Sequence, residues 1–254
     1  MSIKTATLNG VATIEIARPE KKNAITVDMY AAMAAALRSA NADPGVRAVL
    51  ITGQPGIFTS GNDLEDFMQR PMQGMDSPVF QFMKALSTSE KPVVAAVTGA
   101  AIGIGTTMLL HCDFVYVSDE ARLAMPFTSL GLVPEFASSL ILPQLMGHVK
   151  AAEKLLLGDP LSPQDAVDLG LANAVLPAGE VVSHARRIAE RFNALPPGAV
   201  RDSKKLMRRA SAAAVLDTIE VEGGLFAQRL TSPEAREAFS AFFQKRKPDF
   251  TQFS

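Results

Sequence analysis

The residues PVVAAVTGAAIGIGTTMLLHCDFVYVSD (92–119) contain two short apolar runs separated by a stretch with helical character. PVVAAVTG (92–99) and DFVYVSD (113–119) are typical of buried strands, and GTTMLLHC (105–112) lies between them as a crossover. VRAVLITG (46–53) repeats the pattern of an apolar strand that closes on a glycine turn. Strands that alternate with helical crossovers predict stacked βα units and a mostly parallel, buried sheet.

The rest of the chain divides into two parts. TATLNGVATIEIA (5–17) predicts a hairpin turning at Asn-Gly, and 26–44 predicts a helix that opens on Thr26. After about residue 136 helical patterns dominate, interrupted by the short strand pattern ANAVLP (172–177). We therefore predict an α/β core over 1–195 and a helical C-terminal oligomerisation region over 196–254. Its apolar side chains indicate packing on another subunit or, alternatively, on the chain's own core; they include Phe226, Phe239, Phe242 and Phe243.

Composition excludes several functional classes. The 254 residues carry a formal net charge of −1, so bulk attraction to nucleic acid or to an anionic membrane is not expected. The single cysteine, Cys112, rules out an internal disulfide framework and fits a reducing compartment. The sequence has no apolar run of about 18 residues and no apolar signal core at its start, so we expect a cytoplasmic protein. The three histidines show no metal-ligand spacing.

Two glycine-rich turns follow predicted strands. They are ITGQPGIFTSGNDL (51–64) and VTGAAIGIGTTML (97–109). Unpaired N–H groups at two such turns could bind one carbonyl oxygen, although glycines more often just permit a tight turn. Met108 stands where a dinucleotide fingerprint needs its last glycine, which makes a dinucleotide site unexpected.

Several segments together resemble one family. They are RPEKKNAIT (18–26), RAVLITGQPGIFTSGNDL (47–64), KPVVAAVTGAAIGIGTTMLLHCDFVYVSDEARLAMPFTSLGLVPEFASS (91–139), GLANAVLP (170–177) and FFQKRKPDF (242–250). In this order and spacing the chain resembles the crotonase superfamily of acyl-CoA enzymes, the enoyl-CoA hydratase/isomerase family. The resemblance implies a spiral of ββα units followed by a helical trimerisation region, and a homotrimer or dimer of trimers. It also implies an acyl-CoA substrate, with coenzyme A entering as part of that substrate and no separate cofactor.

The resemblance also assigns binding residues. It places the thioester oxygen between the backbone N–H groups of Ser60 and Ile104. The positions that match segments holding the adenine and pantetheine of coenzyme A are Asn23, Ala24, Asp63 and Leu64. Lys245 matches a basic tail near the coenzyme A phosphates, although a solvated helix end explains it equally well. An acyl channel is predicted from the apolar residues Phe67, Met68, Met72, Met75, Phe80 and Met83, with Phe127 and Phe136 beside the proposed base.

Glu135 is the one charged side chain in FTSLGLVPEFASSLILPQLMG (127–147). Family hydratases carry two glutamates at positions that here are Thr107 and Phe127, whereas the segment around Glu135 resembles the enoyl-CoA delta isomerase branch. There a single glutamate is the acid and base. Burial would raise the pKa of Glu135, and the dipole of a helix starting at Pro134 would lower it; alternatively Glu135 faces water at a helix start.

These observations predict an isomerase that shifts a double bond from 3-enoyl-CoA to 2-enoyl-CoA through Glu135. One alternative is an enoyl-CoA hydratase or another acyl-CoA enzyme of crotonase type. The other is a non-catalytic acyl-CoA-binding protein, which would need the glycine turns but not a buried titratable group behind them.

Overall fold

The computed structural model describes residues 2–70, 74 and 76–253. Within them the strands are β1 Ile3–Leu8, β2 Val11–Ile16, β3 Ala48–Thr52, β4 Ile57–Thr59, β5 Val93–Val97, β6 Ala100–Ile102, β7 Phe114–Ser118, β8 Arg122–Ala124 and β9 Ala174–Leu176. The larger sheet has the order β1-β2-β3-β5-β7-β9, and every neighbouring pair except the β1–β2 hairpin is parallel. The predicted strands and the parallel arrangement are thus confirmed.

The hairpin turns where the sequence predicted it. Asn9 and Gly10 have φ angles of 50° and 70°. Two consecutive positive φ angles give a turn whose twist matches that of the flanking strands. The register pairs Leu8 with Val11, which leaves only those two residues in the turn.

A second, smaller sheet was not predicted. It consists of β4, β6 and β8, each three residues long, in one parallel layer. These segments follow β3, β5 and β7 directly, so each of those three strands of the large sheet is succeeded by one strand of the small sheet. A three-residue strand is too short to show a periodic pattern; β4 and β6 lie in the stretches predicted as glycine turns, and no element was predicted for β8. Repetition of two strands and a helical stretch gives the expected spiral of ββα units, the crotonase-like α/β fold.

The helices are α1 Val27–Ala42, α2 Leu64–Gln69, α3 Pro78–Ser87, α4 Ile104–Thr107, α5 Ser138–Met146, α6 His148–Ala152, α7 Pro163–Asp168, α8 Val181–Glu190, α9 Pro197–Arg208, α10 Ala212–Leu230 and α11 Pro233–Phe243. The Thr26 hydroxyl accepts a hydrogen bond from the Met29 N–H, which confirms the predicted cap of α1. The predicted start of a helix at Pro134 was wrong, because α5 begins at Ser138.

The C-terminal helices pack partly on the chain's own core, one of the two alternatives left open by the sequence. Phe226 and Phe239 are buried against the chain's own core, with 2% and 4% of their surface exposed. Phe242 and Phe243 remain 60% and 45% exposed. A division of the chain at residue 195 and an oligomerisation role for the later part remain predictions.

None of the helices in the described ranges combines the length and the apolarity needed to cross a bilayer.

Candidate active site

The carboxyl ends of the small sheet gather the candidate residues at one edge. Because β4, β6 and β8 are parallel, the segments that leave them emerge side by side. Asn62 follows β4, Ile104 follows β6 and Phe127 follows β8. Segments far apart in the sequence therefore meet at one place.

The two glycine turns contact one another. A side chain at Gly61 would lie 2.9 Å from the Ile102 carbonyl oxygen, and one at Gly105 would lie 2.6 Å from the Thr59 side chain. Gly103 adopts φ 57° and ψ −120°, a conformation that residues with a side chain rarely accept. Only glycines allow this approach of the two turns.

Two amides at this edge are available for a ligand. Among the residues that the structure describes, neither the Asn62 N–H nor the Ile104 N–H has a hydrogen-bond acceptor. Ile25 pairs with the two residues on either side of Asn62: its N–H donates to the Gly61 carbonyl oxygen, and its carbonyl oxygen accepts from the Asp63 N–H. The Asn62 N–H points away from that ladder.

Ser60 does not fit the role that the resemblance gave it. Its N–H donates to the Lys22 carbonyl oxygen at 3.1 Å. A donor already paired within the protein cannot also hold a thioester oxygen without breaking that bond. The structure therefore argues for Asn62, two residues later, as the partner of Ile104.

Glu135 is buried and has a defined partner. Only 4% of its surface is exposed, and the Thr107 hydroxyl donates to its Oε1 at 2.5 Å. Burial raises the pKa of Glu135 to about 8; the hydrogen bond from Thr107 opposes this rise, and the negative charge of Glu222 adds to it. The alternative in which Glu135 faces water does not hold. Thr107 follows Ile104 by one helical turn, so the carboxyl group lies close to a free amide.

Tyr30 connects the two parts of the site and was missed by the sequence analysis. Its hydroxyl donates to the Asn62 side-chain oxygen at 2.5 Å. Burial, reinforced by the charge of Glu135, raises the pKa of Tyr30 well above its usual value. Tyr30 therefore stays protonated at neutral pH and fixes the side chain of Asn62.

An aromatic cluster lies next to Glu135 in the chain and at the second glycine turn. Phe136 is 1% exposed, stacks on the His111 ring at 3.9 Å and packs edge-on against Phe82 at 6.1 Å. Phe127 is 5% exposed and lies against Gly103. Burial lowers the pKa of His111 to about 4, so this imidazole is neutral at pH 7. Apolar surroundings of this kind disfavour the charged form of Glu135, in keeping with the rise of its pKa on burial.

Three residues assigned to coenzyme A make hydrogen bonds or an ion pair within the protein. Asn23 is fully buried; its side-chain amide donates to the carbonyl oxygens of Ile57 and Phe58. The Ala24 carbonyl oxygen accepts from the Arg18 guanidinium, which also pairs with Asp63 at 2.6 Å. Burial acts to raise the pKa of Asp63, but the hydrogen bonds from Arg18 and from a helix N–H outweigh it and lower the pKa. These polar groups have partners within the protein, and contacts of the three residues with coenzyme A remain a prediction.

The predicted acyl channel is only partly buried. Phe67, Phe80 and Met83 are 2–5% exposed, whereas Met68 is 46% exposed and Leu64 is half-buried. Met72 and Met75 lie outside the described residues. Lys245 is exposed just beyond the end of α11. Contacts of these side chains with an acyl-CoA remain predictions.

A cavity of about 650 Å³ lies elsewhere, between α5, α9 and α10. Its lining includes Lys204 and Arg208, but both already pair with Asp113, at 2.6 and 2.9 Å. Glu135, Asn62 and Ile104 do not line it. The cavity is therefore separate from the site around Glu135.

The described part of the chain contains no cluster of three or more side chains able to hold a metal ion.

Comparison with known proteins assigns nearly the whole chain to one family. The family model for enoyl-CoA hydratase/isomerase matches residues 6–253. "Enoyl-CoA delta isomerase 2" of Rattus norvegicus is 36% identical over 246 residues, which are 94% of this chain but only 62% of the rat protein. "Probable enoyl-CoA hydratase" of Bacillus subtilis (strain 168) is 30% identical over 247 residues, covering 94% of this chain and 95% of that protein.

Solved structures agree with the fold. The structure of Pseudomonas aeruginosa OdaA has a TM-score of 0.93 and 52% identity, covering 95% of this chain and 98% of that one. The crystal structure of an enoyl-CoA hydratase/isomerase from Pseudoalteromonas atlantica T6c has a TM-score of 0.94 and 43% identity, covering 99% and 100%. The relatives carry hydratase as well as isomerase names, so the choice between the two reactions depends on the site itself.

Proposed function

The chain belongs to the enoyl-CoA hydratase/isomerase family, the crotonase superfamily, and on that premise we propose that it converts 3-enoyl-CoA to 2-enoyl-CoA. The observation that carries the proposal is the environment of Glu135. This carboxyl group is buried, hydrogen-bonded to Thr107 and adjacent to the turn that bears a free amide. A pKa of about 8 suits a group that must both take and return a proton near neutral pH.

The reaction needs only one such group. The ionised Glu135 takes a proton from carbon 2 of the acyl chain, and the electron pair of that C–H bond moves into a dienolate. The N–H groups of Asn62 and Ile104 stabilise the negative thioester oxygen, an effect worth about 10²- to 10³-fold in rate per donor. The protonated Glu135 then gives its proton to carbon 4, which leaves the double bond between carbons 2 and 3. Coenzyme A enters as part of the substrate.

Hydration would require a different arrangement. Addition of water needs one group to activate water and another to protonate carbon. Thr107 and Phe127, at the positions matching the hydratase glutamates, cannot exchange protons near neutral pH. Tyr30 and His111, which lie nearby, have pKa values shifted away from neutrality. The hydratase alternative is supported by the names of several relatives. The second carboxyl group near Glu135, that of Glu222, accepts from the backbone N–H groups of Ala137 and Ser139, which does not favour it as a partner in hydration.

A purely binding protein is the alternative of another class. Binding a thioester requires the two amides but gains nothing from an acid held in an apolar pocket. A buried carboxyl group also lowers the stability of the folded state when it ionises. The unusual surroundings of Glu135 therefore favour catalysis.

The decisive experiment supplies 3-enoyl-CoA and 2-enoyl-CoA in parallel reactions and identifies the products by mass and by the absorbance of the conjugated thioester. We expect 3-enoyl-CoA to be consumed and 2-enoyl-CoA to persist. Glu135→Gln should lower turnover by about 10²- to 10⁴-fold, the usual worth of general acid–base catalysis. Glu180→Gln, which changes an exposed glutamate outside the segments assigned to the substrate, should leave turnover unchanged and serves as the control. Formation of 3-hydroxyacyl-CoA, or full activity of Glu135→Gln, would refute the proposal.

A further inference from the structure

Glu222, in the middle of α10, reaches the loop that carries Glu135. Its Oε2 accepts from the Ala137 N–H at 2.6 Å and its Oε1 accepts from the Ser139 N–H at 2.9 Å. Glu222 is 6% exposed although it carries an ionisable carboxyl group, and it lies 85 residues away from Ala137 in the sequence. Burial raises the pKa of this carboxyl group, and the hydrogen bonds from Ser139 and Ala137 oppose the rise. Both carboxylate oxygens are therefore committed to the backbone just after Glu135.

That backbone has an unusual shape. Phe136 and Ala137 have φ angles of 59° and 56°, two consecutive left-handed conformations in residues that are not glycine. Such conformations persist only where the surroundings enforce them. Ala137 is also the N-terminal cap of α5 and has no side-chain acceptor for the first N–H groups of that helix. Glu222 supplies the missing acceptor from another element.

A second contact holds the same turn. The His111 Nε2 lies 2.8 Å from the Phe136 carbonyl oxygen, and the two rings stack. Because a carbonyl oxygen only accepts, the Nε2 atom carries the proton and donates. The turn is thus held through an oxygen by His111 and through two N–H groups by Glu222.

Helix α10 is itself firmly placed. A side chain at Gly223 would come within 2.0 Å of the Phe80 ring, so Phe80 packs directly on the α10 backbone. Phe226 packs edge-on against Phe67 at 6.3 Å, and Ile219 is buried. These contacts fix the position of the Glu222 carboxylate relative to the core.

We propose that Glu222 is a positioning residue, which orients Glu135 by locking the left-handed turn at residues 136 and 137. This inference rests on the proposed acid–base role of Glu135. It assigns the C-terminal helix α10 a direct part in the geometry of the site. The negative charge of Glu222 acts in the same direction as burial on Glu135, since both favour its protonated form.

The first test compares three variants on the same helix. Glu222→Gln keeps the size but offers a single acceptor oxygen for two N–H donors. Glu222→Asp keeps the charge but has a shorter reach. Glu220→Gln changes an exposed glutamate two residues away and is the control. We expect kcat of Glu222→Gln to fall about 10²-fold, the usual effect of misplacing a reacting group by about 1 Å.

The division of the effect between kcat and KM distinguishes positioning from general damage. The oxyanion amides lie on other segments, so KM for 3-enoyl-CoA should stay near the wild-type value while kcat falls. Glu222→Asp should show a smaller loss of kcat than Glu222→Gln, and Glu220→Gln none. Wild-type kcat in both Glu222 variants, or parallel changes of kcat and KM, would overturn the inference. If Glu222→Gln does not fold, as judged by circular dichroism, Glu222→Asp decides alone.

A double variant separates this inference from the proposed function. If Glu222 acts only through Glu135, then Glu222→Gln should cause no further loss of turnover in the Glu135→Gln background. An additional tenfold or larger loss there would show that Glu222 acts elsewhere. A fully active Glu135→Gln would refute the proposed function itself. An inactive Glu135→Gln with fully active Glu222 variants would refute only the positioning role.

Discussion

Removing the Thr107 hydroxyl should shift the pH dependence of the enzyme without abolishing its activity. The substitution Thr107→Val keeps the shape of the side chain but removes the donor that lies 2.5 Å from Glu135 Oε1. A hydrogen bond to a charged group contributes about 1.5–3 kcal/mol, and one pKa unit corresponds to about 1.4 kcal/mol. The pKa of Glu135, about 8 in the wild type, should therefore rise by roughly 1 to 2 in the variant.

The sign of the effect follows from the role of the base. Glu135 must be ionised to take the proton from carbon 2, so a higher pKa reduces the active fraction at neutral pH. About a tenth of the wild-type carboxyl groups are ionised at pH 7, and in the variant roughly 1% to 0.1%. The second-order rate constant kcat/KM should then be about 10- to 100-fold lower than that of the wild type at pH 7 and approach the wild-type value at high pH.

The measurement is kcat/KM for 3-enoyl-CoA between pH 6 and about 10, which reports ionisations of the free enzyme. The wild-type profile should rise with pH, reach half its maximum near pH 8 and level off about one pH unit higher. Thr107→Ser retains the hydroxyl and should keep the wild-type inflection. An unchanged inflection in Thr107→Val, or a loss that does not recover at high pH, would show that Thr107 does not control the ionisation of Glu135.

Two further outcomes are expected. Gly103→Ala places a side chain at φ 57° and ψ −120°, which strains the backbone by about 1–3 kcal/mol and should displace the Ile104 N–H. We therefore expect a Tm lower by roughly 2–10 °C and a clear fall in kcat. A variant with unchanged Tm and kcat would contradict the role of this turn. Because Phe242 and Phe243 remain exposed at the end of α11, light scattering at micromolar concentration should show at least three subunits, and a species of 27.0 kDa would contradict oligomerisation.

The segment around Glu135 stood out in the sequence, but the partners of its carboxyl group did not. Thr107 entered the sequence analysis only as the absence of a hydratase glutamate, yet its hydroxyl is the group that contacts Glu135. Tyr30 and His111 gave no local signal. Glu222 did leave one: it is an acidic residue on the same helical face as Ile219, Gly223 and Phe226, where a charge needs a buried partner.

The proposed oxyanion donor was likewise not identifiable from residues that are neighbours in the chain. The glycine turn at 51–64 was recognisable from its composition, but which amide of the turn is free depends on the segment packed against it. Lys22 supplies a carbonyl oxygen to Ser60, and no described residue supplies one to Asn62. Likewise, Asn23 and Asp63 lie in segments that match those holding coenzyme A. In the structure the Asn23 amide donates to the carbonyl oxygens of Ile57 and Phe58, and the Asp63 carboxylate accepts from Arg18.

By itself the sequence determined the strands of the large sheet, the hairpin, the helical C-terminal part and the isolation of Glu135 among apolar residues. Each of these depends on side chains that are neighbours in the chain: apolar runs, an Asn-Gly pair, helical periodicity. Only the tertiary structure showed that the small sheet brings Asn62 and Ile104 together and that Glu135 precedes α5. It also showed that Thr107 contacts Glu135 from 28 residues away and that Glu222 contacts Ala137 from 85 residues away. The physical reason is that burial and hydrogen bonding at the site are set by groups distant in sequence, which become neighbours only when the parallel strands and α10 pack.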